Sequence, residues 1–513
     1  MLAFTLFSFA AFLFAIFLVF AIAVVAAGAV RWPGWSFSFL MSLMAVTSVV
    51  TIVFSGRVLT LESDVLTVTS QGGVEGYLLA KVLLAVIVGC SLALSITWFF
   101  FLRDKTKETC RFRNKQLEPP TDIVTAFLVF LIAVNILPIF WGKHYYFHIN
   151  LIYTLFVYLA LFLWARLSNI DPVVVAKQCL FFIVFSSLIA AILAPNLALQ
   201  IGYNDGLIPG FNIRLWGVTT HANTLGAAAC VLFLLEAVEP SAKVWFRRGI
   251  LIITGLVLIM TQSKTSIFAV LVGLLIIAIG RILTKNRDQS RYSSEIVIGL
   301  IIVSSALLAV SAAWIMLYDW GVSAVLNRNL SANAVYGLSN ATGRTSIWEV
   351  AIAAGLENPL FGQGVDFWNQ HVRLRAGFSG ATSAHNLFLE IFSRSGFIGL
   401  IALLIFLFFL VRYSLRAYKN TNGGSIALLA AFFVRAMFES TIDTDAVIAS
   451  SFFGGIAYFI YVMDRGAKPI RNINKLEPSA QVNLNRVVHN KLSNVSTGVK
   501  EKECINVKNR QLL

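Results

Sequence analysis

The chain has 513 residues, of which 58% are hydrophobic and only 13% charged; Phe alone supplies 42, and the mean hydropathy is +0.79. A soluble fold must present a largely polar exterior, so this composition excludes a soluble globular enzyme, a disordered chain and a disulfide scaffold. A polytopic membrane protein remains. The net charge of +15 needs no nucleic acid to explain it, because excess Lys and Arg on the cytoplasmic side of a membrane produces the same balance.

A transmembrane helix takes about 20 mostly apolar residues. Such runs lie near 3–30, 36–54, 76–102, 122–140, 149–167, 173–195, 222–238, 249–262, 266–283, 295–318, 396–416, 425–440 and 446–463. The first run has no basic segment before it and is too long for the apolar core of a cleavable signal peptide, so it reads as a span. Runs 249–262 and 266–283 are separated only by Gln262-Ser263-Lys264-Thr265. One helix through both would overrun the bilayer, so a tight reversal at Ser263-Lys264 is expected. The predicted fold is an all-α polytopic membrane protein of 12–13 spans with one large outer loop at 319–395.

Alternate connections divide the basic residues unevenly. With 103–115 taken as cytoplasmic, 28 of the 40 Lys and Arg fall on that side. Nine fall on the other: Arg57, Lys143, Arg214, Lys264, Arg328, Arg344, Arg373, Arg375 and Arg394. Three, Lys81, Lys177 and Arg435, lie within runs, and Arg435 either pairs with Glu439, one turn on, or lines a cavity. The split puts the C-terminus in the cytoplasm. Thirteen spans place the N-terminus outside. Three regions are expected: N-terminal helices over 1–195, a core over 196–463, and a basic, aromatic-poor cytoplasmic tail over 464–513 that reads as disordered. The five cysteines, Cys90, Cys110, Cys179, Cys230 and Cys504, show no CxxC pair or regular spacing and read as free.

Candidate chemistry lies on the cation-poor outer side. Gly210-Phe-Asn-Ile-Arg214 leads through His221-Ala-Asn223 into the run 222–238. Backbone N–H groups, a helix dipole and a guanidinium converge there, which suits an anion. The competing reading has Arg214 snorkelling and His221 capping the helix. Lys264 puts an ammonium at the outer reversal, where an interfacial anchor is the plainer role. In the long loop, Thr342-Gly343-Arg344 precedes an amphipathic pattern of Ile347, Trp348, Ala351 and Ala354, placing Arg344 at a helix N-terminus. The loop closes on Ala384-His385-Asn386, with Glu390 and Arg394 following. A loop histidine is usually structural, but His385 adjoins an Asn and a Glu at a membrane boundary, and histidine is the commonest general base.

The order Arg214…His221-Ala-Asn223…Gly226, a Ser-Lys turn, Thr342-Gly343-Arg344…Ile347-Trp348, Asn358-Pro359…Gly362-Gln-Gly364 and Ala384-His385-Asn386…Glu390…Gly396…Gly399 resembles the O-antigen ligase and polymerase superfamily. The resemblance covers about 200–440 and leans toward the exopolysaccharide polymerase branch. It implies a GT-C-like glycosyltransferase of the bacterial inner membrane. Such an enzyme takes a glycan from undecaprenyl pyrophosphate at the periplasmic face and passes it, with inversion and without metal or other cofactor, to a hydroxyl acceptor. Arg344 and Arg214 would hold the pyrophosphate and His385 would serve the acceptor, with Lys264, His221, Asn386, Arg394 and Glu390 as substrate-binding candidates. Where the family commonly has Ser-Arg, this chain has Ser263-Lys264, a point charge in place of a fork. A polymerase would use another lipid-linked repeat as acceptor; a ligase would use lipid A core or a protein hydroxyl. A flippase for the same glycans is a third reading, weakened by few in-span charges and no repeated halves. The sequence leaves open whether the protein works alone as a monomer or beside a chain-length regulator.

Overall fold

The computed structural model describes residues 19–59, 74–102, 121–148, 150–168, 170–203, 211–285, 344–369, 372, 383–418, 420–442, 444 and 450–467. The expected span 295–318, the start of the first run, Arg328, Arg373, Arg375, Cys110, Cys504 and nearly all of the tail lie outside the described residues.

The expectation of an all-helical membrane protein is borne out. In chain order the helices are α1 (Val19–Arg31), α2 (Pro33–Val53), α3 (Val74–Thr97), α4 (Thr121–Trp141), α5 (Asn150–Ala165), α6 (Pro172–Leu193) and the single turn α7 (Pro195–Ala198). A two-stranded antiparallel hairpin follows, β1 (Leu199–Ile201) and β2 (Ile213–Leu215). Then come α8 (Ala222–Val238), α9 (Val244–Thr261), α10 (Lys264–Lys285), α11 (Arg344–Glu357), α12 (Leu387–Ala417), α13 (Gly424–Ala436) and α14 (Ser450–Ala467). Among the described residues seven helices are long and apolar enough to cross a membrane, and α1, α5, α8 and α13 are shorter apolar helices.

Local chemistry sets the ends. Pro33 and Pro172 occupy first turns, where a missing N–H costs nothing, and Asp171 caps α6 by accepting from Val173 N. Gln262 takes the left-handed conformation (φ 51°) and produces the expected reversal between α9 and α10. The short run 249–262 is completed by extension of α9 back to Val244. Run 425–440 is corrected: α13 stops at Ala436, so Glu439 lies beyond the helix.

Helix α8 is the central element, touching α6, α9, α10, α13 and α14. Its small residues permit this, since helix association in lipid depends on close approach rather than water exclusion. A Cβ at Gly226 would come within 2.8 Å of the Ser263 side chain, and one at Gly273 within 2.7 Å of Leu234. Phe127 anchors a second contact zone, with its ring 4.7–5.5 Å from those of Tyr158, Phe162, Phe406 and Phe459. The described core runs continuously from Ala29 to Met463.

Two irregularities shape the Lys143–Arg344 end. Helix α4 carries a π-bulge at Ile132–Ile136, and the Val134 carbonyl accepts from Ser395 Oγ at 3.2 Å. Helix α12 is broken at Gly396 (φ 61°), whose missing Cβ makes room for the Pro359 carbonyl. Gly362 (φ 70°) answers from the facing loop, close to the Arg394 backbone. Only glycine satisfies both the dihedral and the space.

The described ion pairs respect the division of charge read from the sequence. At one end Arg412 pairs with Asp122, Arg465 with Asp171 and Glu239, and Lys177 with Glu236. At the other, Lys143 pairs with Glu357 and Arg344 with Glu439. Lys177, expected within a span, thus belongs with the first set. The three described cysteines, Cys90, Cys179 and Cys230, are buried and free.

Replacing Gly396 by Val should destabilise the detergent-solubilised protein by roughly 1–3 kcal/mol, the cost of a strained backbone. Gly249, whose Cβ would meet open space, is the control. Gly249→Ala should leave the melting temperature unchanged or raise it. A Gly396→Val protein that melts like wild type would show that the break in α12 imposes no constraint.

Candidate active site

Four segments converge at the Lys143–Arg344 end of the bundle. The first is the β1–β2 hairpin, where Arg214 sits opposite Gln200. Its guanidinium is 8% exposed and lies 4.5 Å from the Tyr203 ring centre. Nε donates to the Thr261 carbonyl at 3.1 Å, at the reversal between α9 and α10. Nη2 donates to Asn223 Oδ1 at 2.7 Å.

The second segment is the start of α8. His221 is its N-cap, and Nδ1 accepts from Asn223 N at 3.1 Å. The ring packs on Trp216 at 4.6 Å. Burial, reinforced by the charge of Arg214, holds the imidazole down at about 3, so His221 stays neutral at physiological pH. The structure therefore realises the capping geometry for His221. Asn223 passes the contact on, donating from Nδ2 to Glu439 Oε1 at 2.7 Å.

The third segment is α11 and the loop leading to α12. Arg344 begins α11, as expected, and Nη2 donates to Glu439 Oε1 at 2.9 Å. Ile347, Ala351, Trp368 and Ala384 form a small core beneath it, and Trp348 Nε1 donates to the Ala384 carbonyl at 3.0 Å. Asn386 caps α12 by accepting from Phe388 N and Leu389 N, while its Nδ2 donates to the Met437 carbonyl at 3.0 Å. His385, just before this cap, has φ 48°, an unfavourable left-handed conformation for a non-glycine residue. Its Nδ1 lies 3.2 Å from Glu439 Oε2.

The fourth segment, just past α13, supplies Glu439. This carboxylate contacts Arg344, His385 and Asn223, and through Asn223 it reaches Arg214. Burial raises its pKa, but the His385 hydrogen bond and the charges of Arg344, His385 and Arg435 outweigh that effect and hold it at about 2. Glu439 was read in the sequence only as a partner for Arg435. The structure corrects this: both oxygens are engaged elsewhere, and Arg435 reaches Glu439 through its own carbonyl, which accepts from Glu439 N at 2.7 Å. The available signal was a carboxylate near the end of the apolar run 425–440, which is costly unless used.

The remaining candidates sit around this cluster. Glu390 and Arg394 are buried and pair with each other at 3.3 Å. Glu390 Oε2 also accepts from Ala384 N at 2.7 Å, so this pair fixes the loop that carries His385. Lys264 is exposed at the first position of α10, three residues beyond Thr261, and among the described residues it forms no ion pair.

The ionised Glu439 requires a donor from His385. The proton therefore belongs on Nδ1, which leaves the Nε2 lone pair as a base. Among the described residues Arg344 gives one donor to Glu439 and retains the rest of its fork. The cluster thus combines a potential base with two guanidinium groups around one carboxylate.

Fold and site together define a helical multi-pass membrane protein with a guanidinium–imidazole–carboxylate centre at one end of the bundle. A family model described as O-antigen ligase matches residues 249–404. The exopolysaccharide production protein ExoQ of Rhizobium meliloti (strain 1021) is 30% identical over 215 residues, which make up 38% of this chain and 45% of ExoQ. The comparison therefore spans less than half of that relative's length. Residues 249–404 are thus similar to the O-antigen ligase family. The matched segment contains Lys264, Arg344, His385, Asn386, Glu390 and Arg394 but neither Arg214 nor Glu439.

Glu439→Gln should loosen the cluster, because a neutral amide cannot hold the Arg344 guanidinium and the His385 N–H as a carboxylate does. Its pH dependence has a fixed sign. The carboxylate titrates at about 2 in the fold against an ordinary value of 4.5. Its stabilisation is therefore complete above pH 4.5 and is lost as the pH falls through that window. The wild-type melting temperature should drop between pH 5 and pH 3, and the drop should shrink in Glu439→Gln. Identical profiles would remove Glu439 from its central position.

Proposed function

We propose that the protein is a periplasmic-face glycosyltransferase of the bacterial inner membrane. It polymerises undecaprenyl-pyrophosphate-linked oligosaccharide repeats into exopolysaccharide or O-antigen. The observation that carries this reading is the convergence of Arg214, Arg344 and His385 on Glu439. The likeness to an exopolysaccharide production protein supports a role in making exopolysaccharide.

The chemistry follows from the groups present. His385 Nε2 accepts the proton of the acceptor hydroxyl, and the oxygen attacks the anomeric carbon opposite the diphosphate. The bond from that carbon to the phosphate oxygen breaks with inversion, and lipid diphosphate departs carrying the electron pair. Negative charge grows on the leaving oxygen, and Arg344 and Arg214 meet it with fixed donors. Glu439 keeps the imidazole oriented and stabilises the imidazolium that forms, the part a carboxylate plays behind a catalytic histidine elsewhere. His221 remains neutral and holds Asn223 in place. Lys264 supplies a point charge near the outer surface, which suits the lipid-proximal phosphate.

The test is a product assay. Purified protein receives one synthetic undecaprenyl-diphosphate-linked repeat, and products are resolved by gel and mass spectrometry. A ladder of lipid-linked oligomers with no other acceptor is expected. Arg344→Ala and His385→Ala should each lower its rate by about 100-fold or more while remaining in the membrane. Product that appears only with lipid A core would make the protein a ligase. Normal ladders from both variants would sink the site assignment.

A further inference from the structure

Arg57 lies in the connection after α2, 157 positions before Arg214, and is 4% exposed. A guanidinium this deeply buried ordinarily demands a carboxylate. Arg57 instead binds three backbone carbonyls of one distant loop. Nε and Nη2 both donate to Leu197 O, at 3.1 and 2.7 Å. Nη2 also donates to Gly217 O at 2.6 Å, and Nη1 donates to Thr219 O at 2.6 Å. Leu197 precedes the β1–β2 hairpin, and Gly217 and Thr219 follow it. The fork therefore closes the base of the loop that carries Arg214 on one arm.

Neighbouring contacts reinforce the closure. Leu59 N donates to Asn196 O at 2.8 Å, tying the Arg57 segment to the same loop. The Arg57 guanidinium lies 5.7 Å from the centre of the Trp216 ring, which packs on His221, the cap of α8. Gly217 turns with φ 59° against Ser187, and Ser187 Oγ accepts from Val218 N at 3.1 Å. One side chain thus fixes where Arg214 stands and where α8 presents Asn223 to Glu439.

We infer that Arg57 is a positioning residue for the donor diphosphate: it acts on substrate through the loop that holds Arg214, not by contact. This rests on the proposed glycosyl transfer. It places the effect of Arg57 on the diphosphate side of the site. The base, His385, is held by α11, α12 and Glu439, none of which Arg57 contacts among the described residues. A lysine has charge but no planar fork, and cannot bridge Leu197, Gly217 and Thr219 together.

The experiment uses full-length protein carrying Val218→Cys, a position that is 1% exposed between the two gripped carbonyls. Labelling of that position by a water-soluble maleimide is followed by peptide mass spectrometry, in the Arg57, Arg57→Lys and Arg57→Gln backgrounds. Donor KM, kcat and the pH profile are measured in parallel. Labelling should be slow with Arg57 and rise about tenfold or more in Arg57→Gln, reflecting local opening. The donor KM should rise by about tenfold while the pH profile stays unchanged. Arg57→Lys should fall between the two, and it carries the test if the Gln variant does not fold. Unchanged labelling would overturn the inference whatever the activity. Faster labelling with unchanged KM and kcat, or with a displaced pH profile, would overturn it as well. If the Arg57 protein makes no product, the glycosyl-transfer reading fails on its own, and the labelling still decides whether Arg57 closes the loop.

Discussion

The site depends on the carboxylate of Glu439, which has Arg344 and Asn223 on one oxygen and His385 on the other. A buried carboxylate with fewer partners would be neutralised by protonation; with these it remains charged. That charge dictates the rest. It draws α11 to the end of α13, orients the His385 ring and, through Asn223, sets Arg214 against the reversal between α9 and α10. Without it, the two guanidinium groups would repel one another in a poorly hydrated space. One negative group makes the convergence stable and still leaves the cluster net positive.

The scaffold is built to deliver that geometry. Loops bearing Arg214 and His385 would be imprecise if they were held only by their own turns. Each is clamped from behind: the first by Arg57 and Ser187, the second by Glu390, Arg394 and Trp348. The break at Gly396 lets the outer turns of α12 lean over the 359–364 loop, and Ser395 docks on the carbonyl of the α4 π-bulge. Precise placement of reacting groups is worth several kcal/mol of a barrier, so such clamps bear on rate as well as stability.

Much of the architecture was legible in the sequence because hydropathy and charge asymmetry report directly on the bilayer. The apolar spans, the reversal beside Ser263 and the separation of Arg412 and Arg465 from Arg344 all follow from that logic. The placement of Arg344 at a helix start was legible for the same reason, since an amphipathic pattern follows it. The centre was not. Glu439 stands four residues from Arg435, and local spacing favours a local partner; that α13 ends before Glu439 is a tertiary fact. The roles of Glu390 and Arg394 were hidden likewise. Nothing in their spacing tells a pair that fixes a loop from a pair that binds a substrate. Arg57 looked like one more outer cation, because backbone carbonyls carry no sequence signal.

Arg214, Arg344, His385 and Glu439 enter the chain in that order, and α14 closes against α6, α8 and α12 only afterwards. The order of synthesis therefore governs when the charge arrives. Throughout insertion the growing chain presents Arg214 and then Arg344 with no counter-ion from Glu439, and the carboxylate joins them only once α13 has emerged. A chain arrested before that point carries the cations without the group that organises them. An assembled centre is thus confined to the finished bundle, and a partly inserted protein in the membrane lacks one.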